Sequence, residues 1–281
     1  MPSINHLIST AATQLATGSD SAQLDAEILL CLTINKPRSY LRAWPDQELT
    51  ASQENQFNDY LNQRIIGTPI AYITGYKEFW SRDFKVTSDV LIPRPETELI
   101  IELCLKLIHQ DTTPKILDLG TGSGIIGITL AAERPNALIF ASDFSANALR
   151  IARLNAQSHN TKNINFYESD WLKAIPKNQF ELIVSNPPYI ARDDLHLTQG
   201  DLRFEPSSAL SANENGLSDI KIIIDNARNY LTSSGQLIIE HGYNQAEVVQ
   251  QIFKVFNYYN INTHTDLSGQ PRVTSGQWRS N

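Results

Sequence analysis

Apolar positions in the first 66 residues recur at helical spacing. Leu24, Ile28 and Leu32 follow one stripe after the polar Ser19-Asp20-Ser21; Phe57, Leu61 and Ile65 follow another; Pro37, Pro45 and Pro69 punctuate the segments. The pattern predicts a small helical bundle over residues 1–71. From Tyr72 to Ile92 it changes to alternation, with Phe79, Phe84, Val86 and Val90 separated by short polar turns, which predicts a β-hairpin linking two domains. From residue 93 to 281 short apolar runs alternate with helical ones. The runs 115–119, 137–142, 164–167, 181–185 and 236–240 predict strands, and 96–109, 124–133, 145–157, 217–231 and 244–256 predict helices. Apolar strands separated by helices belong to a mostly parallel sheet covered on both faces, so the fold class is α/β. Segments 253–261 and 270–278 predict a closing antiparallel hairpin.

Composition narrows the function classes. A chain of 281 residues, 41% hydrophobic, has room for two cores without disulfides or metals. Basic residues number 23 against 30 acidic ones, and residues 1–66 alone hold 4 against 7, so both parts are acidic. Non-specific affinity for nucleic acid comes from clustered cations that neutralise phosphates, and no such cluster occurs. Cys31 and Cys104 lack partners at metal-ligand spacing, which argues against a disulfide framework or zinc site; Cys104, within an apolar helical run, reads as a small buried hydrophobe. The start has no basic-then-apolar leader, and no apolar run approaches about 18 residues. The expectation is a cytoplasmic monomer that engages neither membrane nor nucleic acid.

Chemistry enters at Ile116-Leu-Asp-Leu119, which runs into Gly120-Thr121-Gly122-Ser123-Gly124 and then into an apolar helix. Glycines at a strand-to-helix turn let backbone approach a ligand at the carboxyl edge of the sheet. Asp143 falls 19 residues after Gly124, at the end of the next predicted strand, where it suits a ribose diol. The loop therefore predicts a nucleoside-containing cofactor, with NAD and S-adenosylmethionine both open. Asp118 tips the choice, because a carboxylate there suits the cationic methionine end of S-adenosylmethionine and would repel a pyrophosphate. Glu168-Ser-Asp-Trp171 follows the third strand, where a carboxylate suits an adenine amino group and the Trp171 indole can cover the ring.

The strand ending at Ser185 meets Asn186-Pro187-Pro188-Tyr189. Two prolines forbid further sheet pairing and make a rigid turn that exposes acceptors, since proline has no N–H. An amide or aromatic amine is a weak nucleophile because its lone pair is delocalised. The Asn186 side-chain oxygen and Pro187 carbonyl suit the task of holding both N–H bonds and aiming that lone pair at a methyl group, with Tyr189 packed on the planar group. No general base is needed before transfer.

At these residues the chain resembles the protein-(glutamine-N5) methyltransferases of peptide chain release factors, the PrmC/HemK family. The resemblance extends to Pro69-Ile-Ala-Tyr-Ile-Thr-Gly75, Glu78-Phe-Trp80, Leu91-Ile-Pro-Arg-Pro-Glu-Thr-Glu98, Asp143-Phe-Ser-Ala-Asn-Ala148, Glu205-Pro206, Ala209-Leu210 and Gly216-Leu217. It implies a Rossmann-like class I S-adenosylmethionine-dependent methyltransferase domain behind the helical domain. Gly120, Thr121, Gly122, Ser123, Gly124, Asp143, Trp171 and Asn186 would bind S-adenosylmethionine, with S-adenosylhomocysteine as product. Asn186, Pro187, Pro188 and Tyr189 would hold the glutamine of a Gly-Gly-Gln tripeptide in release factors 1 and 2, gripped by the helical domain. The resemblance also sets Arg94, Glu96 and Thr97 at the pocket border, where residue chemistry gives only a helix start with Pro95 near its first position.

Three rivals remain. A nucleic-acid amino-methyltransferase shares the Asn-Pro-Pro-Tyr turn but needs a base-reading, cationic surface. A non-enzymatic binding module would tolerate loss of the loop or the turn, and neither is lost. An NAD-dependent oxidoreductase explains neither Asp118 nor the turn.

Overall fold

The computed structural model describes residues 1–177 and 179–279. The chain divides into two compact units, Met1–Tyr76 and Lys77–Asn281.

The first unit is built from α1 (Ile4–Leu15), α2 (Ala22–Ile34), α3 (Arg38–Ala43), α4 (Ala51–Ile65) and α5 (Ile70–Thr74). Ser3 caps α1, and Thr50 and Gln53 cap α4 reciprocally, satisfying backbone N–H groups that the first turn leaves orphaned. Leu7, Ala11, Ala26, Leu29, Leu30 and Phe57 make the core. Sequence periodicity selects the wrong stripe of α2: Ala26, Leu29, Leu30 and Thr33 are buried, whereas Leu24 is exposed and Ile28 and Leu32 are half-buried. Apolar residues surround most of this helix, so spacing alone does not single out a face. On α4 Phe57 and Leu61 are buried as expected, and Ile65 is exposed. The buried Asp25 is held by Arg64 Nε at 2.8 Å and by the hydroxyls of Ser19 and Ser21. Tyr72–Thr74, expected in the hairpin, complete α5, which Gly75 ends.

The hairpin itself is β1 (Tyr76–Phe79) and β2 (Arg82–Lys85), joined by Trp80 and Ser81, both at positive φ as a two-residue hairpin turn requires. Carboxylates hold this turn: Glu98 accepts from Trp80 N and Glu78 from Ser81 N. There follow α6 (Glu98–Leu107), β3 (Lys115–Leu119), α7 (Ile125–Glu133), β4 (Leu138–Asp143), α8 (Ala146–Ser158), β5 (Ile164–Glu168) and β6 (Phe180–Ser185). An excursion carries β7 (Ile190–Ala191), α9 (Ser207–Leu210), β8 (Ser211–Ala212) and α10 (Asn213–Gly216), the last a single turn whose Glu214 and Asn215 are left-handed rather than α-helical. The chain closes with α11 (Ser218–Ala227), β9 (Leu231–Glu240), α12 (Ala246–Val255), β10 (Tyr259–Thr265) and β11 (Pro271–Gln277).

The main sheet has the order β10-β11-β9-β6-β3-β4-β5. Strands β3, β4, β5, β6 and β9 pair in parallel, and β11 is antiparallel to both β9 and β10. This is the mostly parallel sheet with an antiparallel closing hairpin that the sequence predicts. One boundary moves: residues 253–255 finish α12, because Phe253 is buried on its inner face, and the strand begins at Tyr259. Alternation along β3 explains the two apolar faces. Ile116 packs beneath α6 and α7 with Ile139, Leu182 and Ile238, while Leu117 and Leu119 pack on the opposite face with Ile183, Leu237 and α11.

Register lines up the strand ends. Leu119 sits opposite Ser142 on one side and Ser185 on the other, and Ser185 opposite Ile239. The loops after β3, β4, β6 and β9 therefore leave one edge of the sheet together, where the strand order switches direction, which is where open α/β sheets bind ligands. Among the described residues no helix is long and apolar enough to cross a membrane, and no cluster of three or more His, Cys, Asp or Glu could hold a metal ion.

Candidate active site

A cleft of about 630 Å³ opens at that edge, within the range of small-molecule sites. Its floor is the loop after β3. Gly120, Thr121, Gly122 and Ser123 line it, and a Cβ at Gly120 would stand 3.3 Å from the Trp171 ring, so the loop presents bare backbone beside an indole. Gly124 lies outside the lining. It starts α7 at φ +89°, where a Cβ would meet Ile128 Cδ1 at 2.4 Å, and so serves packing between loop and helix.

The loop is held from beneath. Thr121 N donates to the Ser142 carbonyl at 2.8 Å, and Asn155 on α8 donates to the Ser123 carbonyl at 2.8 Å while also bonding the Lys85 backbone of β2. Asp118 corrects the sequence reading. Its side chain is fully buried on the face shared with Ile116; Oδ2 accepts from Thr121 Oγ1 at 2.6 Å and from Gly127 N at 2.9 Å, and it does not line the cleft. Alternation along β3 turns position 118 into the interior, so Asp118 fixes the loop's shape. Burial pushes its carboxyl up to about 6, against the two hydrogen bonds that favour the charge.

Asp143, at the end of β4, does line the cleft. Oδ2 accepts from Gly122 N at 2.9 Å and Oδ1 from Ser145 N at 2.8 Å, which locks the carboxylate at the cleft. Burial raises its pKa and these backbone donors oppose the rise. Phe144, which sequence reasoning missed, lies in the same lining with 77% of its surface exposed. Its signal was its place directly after the acid at a strand end. Across the cleft Trp171 holds a left-handed φ of 49°, unusual for a bulky residue, beside Asp170 and Asp219. Glu168, the other carboxylate of that segment, is exposed and does not line the cleft.

Asn186 and Pro188 line the cleft; Pro187 is buried and Tyr189 half-buried, both outside the lining. Asn186 Nδ2 donates to Thr97 Oγ1 at 3.1 Å, which occupies the amino side of the amide and leaves Oδ1 without a described protein donor. Tyr189 Oη donates to Glu240 Oε1 at 3.3 Å, and the Tyr189 carbonyl accepts from Gln245 Nε2 at 3.0 Å. Burial, and then the neighbouring Glu240, raise the Tyr189 phenol well above its usual range, so it stays protonated. Glu240 and Gln245 were not legible as site residues, since neither belongs to a local motif that carries chemistry on its own, and Thr97 was placed at the pocket border by the resemblance alone. Arg94 pairs with Glu205, which also accepts from Ile92 N, so the Pro-Arg-Pro segment is tied to the excursion between β6 and α11. Arg94 and Thr97 line the cleft and Glu96 does not.

Residues 6–75 match the family model for the PrmC N-terminal domain, and residues 97–203 that for the methyltransferase small domain. The release factor glutamine methyltransferase of Coxiella burnetii is 46% identical over 273 residues, 97% of this chain and 98% of that protein. Those of Salmonella typhimurium and Escherichia coli are 45% and 43% identical, each over 97% of this chain and 98% of theirs. Among solved structures, a methyltransferase of Pyrococcus furiosus aligns with TM-score 0.55 and 14% identity, over 79% of this chain and all of that one. A T. thermophilus 16S rRNA N2 methyltransferase, solved with AdoMet and guanosine, aligns with TM-score 0.52 and 15% identity over 73% of this chain and 50% of that one. At such identities the structures speak for the fold alone.

Proposed function

The chain belongs to the release factor glutamine methyltransferases, and from that membership we propose that it methylates the side-chain amide nitrogen of the glutamine in the Gly-Gly-Gln tripeptide of release factors 1 and 2. S-adenosylmethionine, which supplies an electrophilic methyl group on a sulfonium sulfur, is the donor. The residues of the cleft fit it: bare glycine backbone on the floor, the locked Asp143 carboxylate for a ribose diol, and the Phe144 and Trp171 rings for a purine. Gly120 to Ser123, Asp143, Trp171 and Asn186 hold it. The observation that carries the reading is the Asn186 amide, whose amino group is committed to Thr97.

The chemistry needs little else from the chain. An amide nitrogen attacks poorly because its lone pair is shared with the carbonyl. Asn186 Oδ1 accepts one of its N–H bonds and the Pro187 carbonyl accepts the other, and two fixed acceptors orient the nitrogen and favour the positive charge that grows on it. The nitrogen becomes strongly acidic as the N–C bond forms, so its proton passes to solvent without a dedicated base.

Incubation of the purified chain with release factor and methyl-labelled cofactor should place label on the glutamine side chain; label in RNA or DNA and none in the factor would overturn the reading. Asn186→Ala should lower kcat by about 10²–10³-fold with folding intact. A variant as fast as the parent would remove the acceptor role.

A further inference from the structure

Glu205 lies in the excursion that follows the Asn-Pro-Pro-Tyr turn, and its side chain has no exposed surface. Both of its oxygens are committed to one segment: Oε2 accepts from Ile92 N at 3.0 Å, and Oε1 pairs with Arg94 Nη2. Arg94 stands between Pro93 and Pro95, which keep its backbone extended at φ −103° and ψ 140°, and its side chain, 29% exposed, lines the cleft. Thr97 N donates to the Arg94 carbonyl at 3.2 Å and Thr97 Oγ1 accepts from Asn186 Nδ2 at 3.1 Å, so a single turn of chain separates Arg94 from the acceptor amide. A guanidinium carries several N–H donors and no acceptor. One of them faces Glu205, and among the described residues no other protein group takes a hydrogen bond from the Arg94 side chain. We propose that Arg94 receives the main chain of the protein substrate, donating to a backbone carbonyl of the tripeptide, and that Glu205 is its positioning residue.

The pairing selects the ligand. Glycines bring no side chains, so beside its glutamine the Gly-Gly-Gln tripeptide offers only main-chain groups, and of these a side chain with donors alone can take the carbonyl. An arginine with a free charge at the same place would instead draw phosphate, which matches its fork of N–H groups. Glu205 cancels that charge and, sealed from solvent, repels any anion brought to the guanidinium. The pair therefore presents directed N–H groups without net charge, which suits a neutral peptide and disfavours a phosphate backbone. The Asn-Pro-Pro-Tyr turn cannot tell a protein amide from the amine of a nucleic-acid base; the Arg94–Glu205 pair beside it can.

This proposal rests on the release-factor reading of the cleft, and transfer of labelled methyl to release factor by the parent is followed first; no transfer would overturn that reading. Given transfer, Arg94→Met should lower kcat/KM for release factor by about 10–100-fold, the worth of a hydrogen bond from a charged group, with affinity for S-adenosylhomocysteine by calorimetry within about threefold of the parent. Arg94→Lys keeps the charge without the planar fork and should recover only part of the loss. Glu205→Gln still has an oxygen for Ile92 N but leaves the Arg94 charge free. Sulfate, exchanged for chloride at constant ionic strength, should then compete with release factor about tenfold more strongly than it does in the parent, and adding Arg94→Met should remove that competition. An Arg94→Met enzyme within about twofold of the parent in kcat/KM, or one that loses S-adenosylhomocysteine affinity by the same factor, would overturn the role of Arg94. Equal competition by sulfate in the parent and in Glu205→Gln would overturn that of Glu205. Should Glu205→Gln not fold, the parent decides the pairing: competition by sulfate that Arg94→Met relieves would reveal an uncancelled charge and sink it.

Discussion

Gly216→Ala offers a sharp test of how the turn is held. Glu214, Asn215 and Gly216 all have positive φ, at 53°, 55° and 83°, and make one left-handed turn that is closed by Leu217 N on the Asn213 carbonyl. A Cβ at Gly216 would stand 1.9 Å from the Tyr189 carbonyl oxygen and 2.6 Å from its carbon, both backbone atoms. Restoring a tolerable contact requires the two segments to part by about 1 Å, and a shift of that size at an orienting group costs about 10²-fold in rate. Parting them also strains the clamp in which Gln245 Nε2 reaches the Tyr189 carbonyl at 3.0 Å and the Asn215 carbonyl at 3.1 Å. Losing one such bond costs about 1 kcal/mol, and alanine in a left-handed conformation about 1–2 kcal/mol more. Gly216→Ala should therefore melt about 5–10 °C lower and turn over about 100-fold more slowly. Calorimetry and methyl-transfer kinetics on intact release factor measure both. Gly269→Ala is the control: its φ is +78° with nothing within 4 Å of a new Cβ, so it carries the backbone strain without the collision. A Gly216→Ala enzyme within threefold of the parent, or one no worse than Gly269→Ala, would refute the argument.

Burial raises Asp118 to about 6 and Glu240 to about 7, so the folded chain keeps protons that the unfolded chain has already released, and these two groups make stability fall as pH rises from about 4 to 7. Glu240 accounts for about 3 kcal/mol of that fall; Glu240→Gln should flatten the pH dependence of urea unfolding by that amount, and an unchanged slope would show that the carboxyl ionises freely in the fold. Burial raises the Cys104 thiol far above its usual range and the half-buried Cys31 less so; a thiol reagent should label Cys31 slowly and Cys104 only in denaturant, and rapid native labelling of both would contradict the packing. Removing Met1–Tyr76 should raise KM for intact release factor far more than for a Gly-Gly-Gln peptide, and equal effects on both would end the docking role of the helical unit.

How far the sequence could be read follows from where the information lies. Strands β3 and β6 were legible nearly to the residue, because runs such as Ile116-Leu-Asp-Leu119 are short, apolar and bounded by glycine or proline. The glycine loop, Asp143 and Asn186 were legible because their chemistry is local to one strand end. Asp118 misled for a physical reason: residue type suggested a cation, and only strand alternation shows that its side chain points inward to Thr121 and Gly127. Helix α2 misled because it is apolar on nearly every side. Thr97, Gln245 and Glu240 lie 89, 59 and 54 positions from Asn186, and nothing in a linear pattern brings them together.

Those distant residues share a task that the visible ones cannot perform. Asp143 and Asn186 face the cleft and need fixed orientations; each is aimed by groups that face inward. Asp118 shapes the glycine loop, whose Gly122 N–H holds Asp143. Gln245 pins the Tyr189 carbonyl, and Glu240 takes the Tyr189 hydroxyl. Two of these aiming groups are carboxyls buried with one oxygen unpartnered, at a cost in stability that an apolar residue would not incur. A carboxylate is the one side chain that can only accept, and so dictates which way every neighbouring hydroxyl and amide must point. Orientation at the cleft is thus set from beneath it, and a substitution at Glu240 should alter turnover before it alters binding.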